Sequence, residues 1–272
     1  MTTPPTDLEG RVYGPAPLRW CREKVAEFVE ATGDDHRRWA THAPPGMAAA
    51  ALFVVAGPLL SEFADASVIH GEQVFTWHAP LTVEQDHDVV GTVTRVRERS
   101  GAHFVTFELA VTSAGDPVVD GRSTFIVSEE AGAVRADAED AEPAPYERGA
   151  FEPLEVRGGA FGPIARSASR VDLVRYAGAT RDWNPIHWDH EAAVAAGLGG
   201  VVCHGLLQVA WMLQPFITSA TDPAPPANAR FRFRRPLRPG VQAFLSGTIG
   251  EDGGTVELSD DAGPYVIGTV SR

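Results

Sequence analysis

The chain has 272 residues, 44% of them hydrophobic, enough to bury a large core as one big domain or as two of about 130 residues. Lys and Arg total 23 against 36 Asp and Glu, and the net charge of −13 argues against nucleic acid or an anionic membrane as the main partner. The two cysteines, Cys21 and Cys203, form neither a disulfide framework nor a metal-ligand spacing, and no stretch reaches the roughly 20 apolar residues of a membrane span, so a soluble, cytoplasmic protein is expected.

In chain order, Leu18 to Ala31 reads as an amphipathic helix with Trp20, Val25, Phe28 and Val29 on its apolar side. From Gly46 to Leu60 almost every residue is small or apolar, too short a run for a membrane, which predicts a helix buried on all sides. Strand-like runs follow at Gln73 to Trp77, Val89 to Val96, His103 to Val111 and Val118 to Val127, the third alternating Val105, Phe107, Leu109 and Val111 with more polar neighbours. The fold class is therefore α+β, a curved antiparallel sheet around a helix. Residues 131–157 turn to Ala, Glu, Asp and Pro and read as a linker between an amino-terminal half, 1–130, and a carboxy-terminal half, 158–272.

The same order then recurs. Ser169-Arg170-Val171-Asp172 is a capping-box pattern that starts a helix, a short helix from His190 to Ala196 stops at Gly197, and an apolar helix is expected from Val202 to Phe216. Ala31-Thr32-Gly33-Asp34 matches Ala179-Thr180-Arg181-Asp182. Pro80-Leu81 and Gly91-Thr92-Val93 match Pro236-Leu237 and Gly247-Thr248-Ile249 at one offset, 156, which marks the halves as repeats.

The halves differ where chemistry would sit. Asp182-Trp183-Asn184-Pro185-Ile186-His187 places a carboxylate and an imidazole on one short loop, restricted by its Asn-Pro pair. After Asp34 the first half reads Asp35-His36-Arg37-Arg38-Trp39, without Asn-Pro-x-His, so that half is expected to be catalytically silent.

Thr180-Arg181-Asp182-Trp183-Asn184-Pro185-Ile186-His187, followed by Cys203-His204-Gly205-Leu206, resembles the signature of the MaoC-like, (R)-specific enoyl-thioester hydratases and (3R)-hydroxyacyl-ACP dehydratases. The stretch from His70-Gly71-Glu72 to Pro80-Leu81 is similar to the non-catalytic partner domain of mycobacterial-type dehydratases. The resemblance implies a double hot-dog fold, each half a long helix wrapped by an antiparallel sheet, and leaves open whether two such chains pair as a homodimer. It implies a hydro-lyase interconverting trans-2-enoyl and (3R)-3-hydroxyacyl thioesters of CoA or acyl carrier protein. Two departures stand out: Arg181 replaces the usual residue before the Asp, and Leu213 replaces a serine carried by some relatives in the central helix.

Hydration of a conjugated enoyl thioester must deprotonate water, protonate C2 and stabilise charge on the thioester oxygen. Asp182 is assigned as the base or the group holding the water, His187 as its partner in proton transfer, and Gly205 as the backbone donor to the thioester oxygen. No metal and no organic cofactor is expected. Asn184 reads as a loop organiser beside the substrate, and His204 as a buried structural histidine. In Phe231-Arg232-Phe233-Arg234-Arg235 the arginines face outward, either as a solvated surface or, through Arg234 and Arg235, as a seat for CoA phosphates or an acidic carrier protein. A hot-dog thioesterase and a non-catalytic acyl-thioester binding protein are the competing classes.

Overall fold

A computed structural model describes residues 8–63, 66–128, 154, 158–217 and 220–272. The predicted linker, 131–157, lies outside the described residues apart from Leu154. The first half runs β1 (Val12–Arg19), α1 (Arg22–Thr32), β2 (His42–Ala43), α2 (Ala48–Ser61), β3 (Ser67–Trp77), β4 (Leu81–Thr82), β5 (Asp86–Arg99), β6 (Ala102–Ser113) and β7 (Asp116–Ser128). The second runs β8 (Gly159–Arg166), α3 (Arg170–Thr180), α4 (His190–Ala195), α5 (Gly205–Leu213), β9 (Asn228–Phe233), β10 (Ala243–Gly250), β11 (Gly253–Asp260) and β12 (Gly263–Ser271).

Ten strands form one sheet in the order β1-β5-β6-β7-β3-β9-β12-β11-β10-β8, while β2 and β4 pair separately. The order is a mirror: five strands of one half meet five of the other at β3 and β9, antiparallel, with Phe75 opposite Ala229 and Thr76 opposite Asn228. This is a double hot-dog fold. Gly91 on β5 and Gly247 on β10, the glycines that revealed the repeat, hold matching places where a Cβ would run into Phe107 and Phe161 respectively.

The helices line the inner face. Ala48 to Leu52 of α2 and Leu206 to Leu213 of α5 are buried throughout, so neither helix shows a polar stripe. Trp20, Phe28, Phe75, Phe107, Tyr176, Trp211 and Phe231 are the large side chains that fill the space between helices and sheet. Two expectations are corrected. The stretch from Leu18 is not helical at its start, because Leu18 and Arg19 end β1 and the helix begins at Arg22. The apolar helix starts at Gly205 rather than Val202, because Cys203 N–H is drawn to the Leu237 carbonyl and the chain stays extended up to the N-cap, His204.

The halves are also stitched by polar contacts. The Asp222 carboxylate accepts from the amides of Ala40, Thr41 and His42 at 2.7–3.0 Å and from the Thr41 hydroxyl at 2.7 Å. Gln214 donates to the Thr32 carbonyl at 3.1 Å. No helix among the described residues is long and apolar enough to cross a membrane.

Candidate active site

The capping box is formed: Ser169 Oγ accepts from Asp172 N–H and the Asp172 carboxylate accepts from Ser169 N–H at 2.8 Å, fixing where α3 starts. At its other end Arg181 closes the helix in a left-handed conformation, φ 66°, as Gly33 closes α1 at φ 63°. A side chain in that region costs about 1 kcal/mol, yet the turn is needed, since it swings the next residue from the surface into the core. Arg181 is exposed, whereas Asp182 is only 6% exposed.

Asn184 then caps the short 3₁₀ turn Pro185–His187, its side chain accepting from Ile186 N–H at 3.4 Å, which fits the organiser reading. His187 Nδ1 lies 2.8 Å from the Val202 carbonyl. A carbonyl only accepts, so Nδ1 carries the proton and Nε2 presents a lone pair. That Nε2 stands 3.9 Å from Asp182 Oδ2, too far for a direct hydrogen bond and close enough for one water to touch both. Burial raises the Asp182 carboxyl to about 7, against the Asn184 amide that lowers it, and burial depresses the imidazole of His187 to about 4 although the Val202 carbonyl raises it. At neutral pH the imidazole is therefore neutral and the carboxyl is poised between its two forms. Asp182, His187 and His204 each place one nitrogen or oxygen within 4.8 Å of the others, a spacing that would admit a small cation as well as a water.

Gly205 is the first residue of α5. Its N–H lies at a helix amino terminus, where backbone donors have no partner within the helix and the dipole favours negative charge. A Cβ at Gly205 would come within 2.8 Å of the Phe233 ring, so only glycine brings the chain this close.

The basic run on β9 divides. Arg230 and Arg232 both donate to Glu72 across the seam, Arg238 donates to the Leu198 and Gly199 carbonyls, and Arg235 is taken up by Asp260 and the Gly263 carbonyl while its guanidinium lies 3.8 Å over the Tyr265 ring. Arg235 is thus held in place by these contacts while its side chain stays 31% exposed. Arg234 is exposed, with no ion pair among the described residues.

In the first half the corresponding aspartate has different partners. Asp34 is buried like Asp182, but Arg38, the last residue of its own 3₁₀ turn as His187 is of the other, donates to it at 3.1 Å; Trp39 Nε1 donates at 3.0 Å and Asp35 N–H at 2.8 Å. Phe28 corresponds to Tyr176, each carbonyl accepting from a threonine hydroxyl at 2.8 Å, from Thr32 and Thr180 respectively. Sequence reasoning missed Arg38 as the counterpart of His187, and it missed the Val202 carbonyl, a main-chain group that no side-chain motif reports.

Residues 158–255 match the family model described as MaoC like domain. The carboxy-terminal half of the chain is therefore a MaoC-like domain. A UPF0336 protein of Saccharopolyspora erythraea is 32% identical over 154 residues, which span 49% of this chain and 92% of that protein. A solved MaoC-like dehydratase superposes with a TM-score of 0.78 at 22% identity, covering 98% of both chains. A Mycobacterium tuberculosis protein described as a double hotdog fold superposes with a TM-score of 0.66 at 13% identity, covering 97% of this chain and 95% of its own. At such identities the superpositions speak for the fold alone. The match of this domain supports a hydratase or dehydratase role.

Proposed function

We propose that this protein adds water to trans-2-enoyl thioesters, and removes it from (3R)-3-hydroxyacyl thioesters, carried on CoA or acyl carrier protein. The observation that carries the reading is the dyad: a carboxyl poised near neutrality faces the bare nitrogen of a neutral imidazole across 3.9 Å, against His204, the N-cap of α5. A water accepted there would give one hydrogen to Asp182 and the other to His187 Nε2, leaving its oxygen lone pair for C3. As the C3–O bond forms, one proton passes from water to Asp182 and then to C2, so a single water is added across the double bond. Charge arising on the thioester oxygen meets the Gly205 N–H. Asn184 keeps the loop in shape, and Arg234, exposed just past β9, is a cation that a phosphate or an acidic carrier could reach. The amino-terminal half, 1–130, supplies core, interface and acyl-pocket wall. The free thiols of Cys21 and Cys203 fit a reducing cytoplasm.

Incubation with crotonyl-CoA tests this directly. Enoyl absorbance is expected to fall without release of free thiol, and chiral analysis is expected to return the (3R) product; thiol release would identify a thioesterase, and an S product would reverse the assigned face. Hydration kcat/KM is expected to fall with one-proton slope as pH drops below about 7, because the carboxyl whose pKa burial has raised must be ionised to act as base. A profile flat from pH 8 to 5 would remove Asp182 from that role.

Gly205→Ala provides a third test. Its methyl must push Phe233 aside or tilt the amide, so kcat is expected to drop by about tenfold or more with an unchanged circular dichroism spectrum. Full activity would mean the thioester oxygen is held elsewhere.

A further inference from the structure

His204 takes no part in the proton transfers above, yet it is the most enclosed polar residue of the site, at 0% exposure. Three observations bear on it. Its Nε2 donates to the main-chain carbonyl of Asp182 at 3.1 Å. Its ring stacks on that of His187, with centroids 3.8 Å apart and planes at 27°. On its other side lies Tyr176, centroids 4.9 Å apart, and Tyr176 rests on Phe28 at 5.5 Å, so a file of four rings runs from the silent half to the catalytic imidazole.

The duplication supplies an internal control. Where the catalytic half reads Cys203-His204-Gly205 ahead of its central helix, the silent half reads Pro44-Pro45-Gly46, and its fold forms without an imidazole there. The silent half lost this histidine together with the counterpart of His187, while it kept the buried aspartate, the threonine bond and the ring at Phe28. The first half thus builds the same fold with a proline where the second half has His204.

We propose that His204 is a positioning residue that fastens the Asp182 main chain and the His187 ring to the start of α5, so that the acid/base pair and the Gly205 amide hold their spacing as one body. His187 is otherwise tied through a single ring nitrogen, about which the imidazole could pivot, and an error of about 1 Å in such a constellation costs orders of magnitude in rate. Burial, with His187 beside it, holds the His204 imidazole well below its usual range and so neutral. The groups facing the pair are Asp182 from the loop and Tyr176 from α3. The nearby charges of α1 are met at the surface, Lys24 by Glu27 and Glu30 by Arg175.

The role rests on the hydratase reading, and two variants separate them. His204→Gln keeps a donor for the Asp182 carbonyl and loses the ring; His204→Phe keeps the ring and loses the donor. Each is expected to fold by circular dichroism, to leave KM for crotonyl-CoA within about threefold, and to lower kcat by about tenfold or more. The His187 Cε1–H resonance is expected to move downfield in His204→Gln, as the ring current disappears, and to hold its place in His204→Phe. Normal kcat in both folded variants overturns the proposal. So does an activity loss that follows only the folded fraction, an unmoved resonance in His204→Gln, or failure of both variants to fold, which would make His204 a core residue. If the wild-type protein does not hydrate crotonyl-CoA, the proposed function fails, while the resonance still reads the stack.

Discussion

Replacing Asp182 with Asn is expected to lower hydratase turnover by at least about a hundredfold and, above neutral pH, to make the protein more stable. The first effect follows from its place opposite His187 Nε2, and His187→Ala is expected to be equally damaging. The second follows from burial. A carboxyl whose folded-state value is raised to about 7 resists ionisation in the folded protein, so the wild type loses stability as pH rises from about 4 to about 7. Asparagine is never charged and keeps an oxygen for the Asn184 amide. The gain is on the order of 2–4 kcal/mol at pH 8 and vanishes below about pH 4. Thermal unfolding at pH 8 and pH 4, beside turnover on crotonyl-CoA, checks both halves of the expectation; a folded Asp182→Asn protein with near-normal turnover would withdraw the assignment.

The same exchange at the corresponding aspartate is expected to do the reverse. Asp34→Asn removes the charge that faces Arg38, whose side chain is 8% exposed and whose Nη2 also donates to the Ile217 carbonyl. Arg38, Trp39 Nε1 and the Asp35 amide all donate to the Asp34 carboxylate, so this aspartate does structural work as half of an ion pair. Removing the carboxylate charge from this buried pair is expected to cost about 1–3 kcal/mol, softened because asparagine can still accept hydrogen bonds. Turnover per folded molecule on crotonyl-CoA is expected to stay within about twofold. Denaturant unfolding reads the first figure and active-site-normalised kinetics the second, and a severe loss of turnover would show that the first half takes part in catalysis.

The two aspartates also show how far the sequence could be read. The meeting of Asp182 and His187 was legible because a carboxylate and an imidazole five positions apart around Asn-Pro share one short loop, and the capping box at Ser169 named the helix that leads into it. The counterpart of His187 was hidden twice, by a change of residue to Arg38 and by a loop one residue shorter, since Arg38 follows Asp34 by four and His187 follows Asp182 by five. Strands β1 and β8 escaped notice because Gly14-Pro15 and Gly162-Pro163 interrupt them as turns do; proline is tolerated there since both strands lie at the two ends of the sheet, with a bulge between Tyr13 and Ala16 in the first. β3 was read too short, at Gln73 to Trp77, because the bulge between His70 and Glu72 shifts which residues face inward and breaks the alternation.

The seam between β3 and β9, with the Asp222 clasp beside it, has a consequence for how the protein behaves at low abundance. In an assembly of two separate hot-dog chains, that boundary would open on dilution and the site beside it would lose its neighbour. Here both sides belong to one chain, so each half faces the other at an effective concentration set by their connection and not by the number of molecules in the cell. Specific activity should be as high for a scarce protein as for a plentiful one, and each half is released from having to recognise a copy of itself.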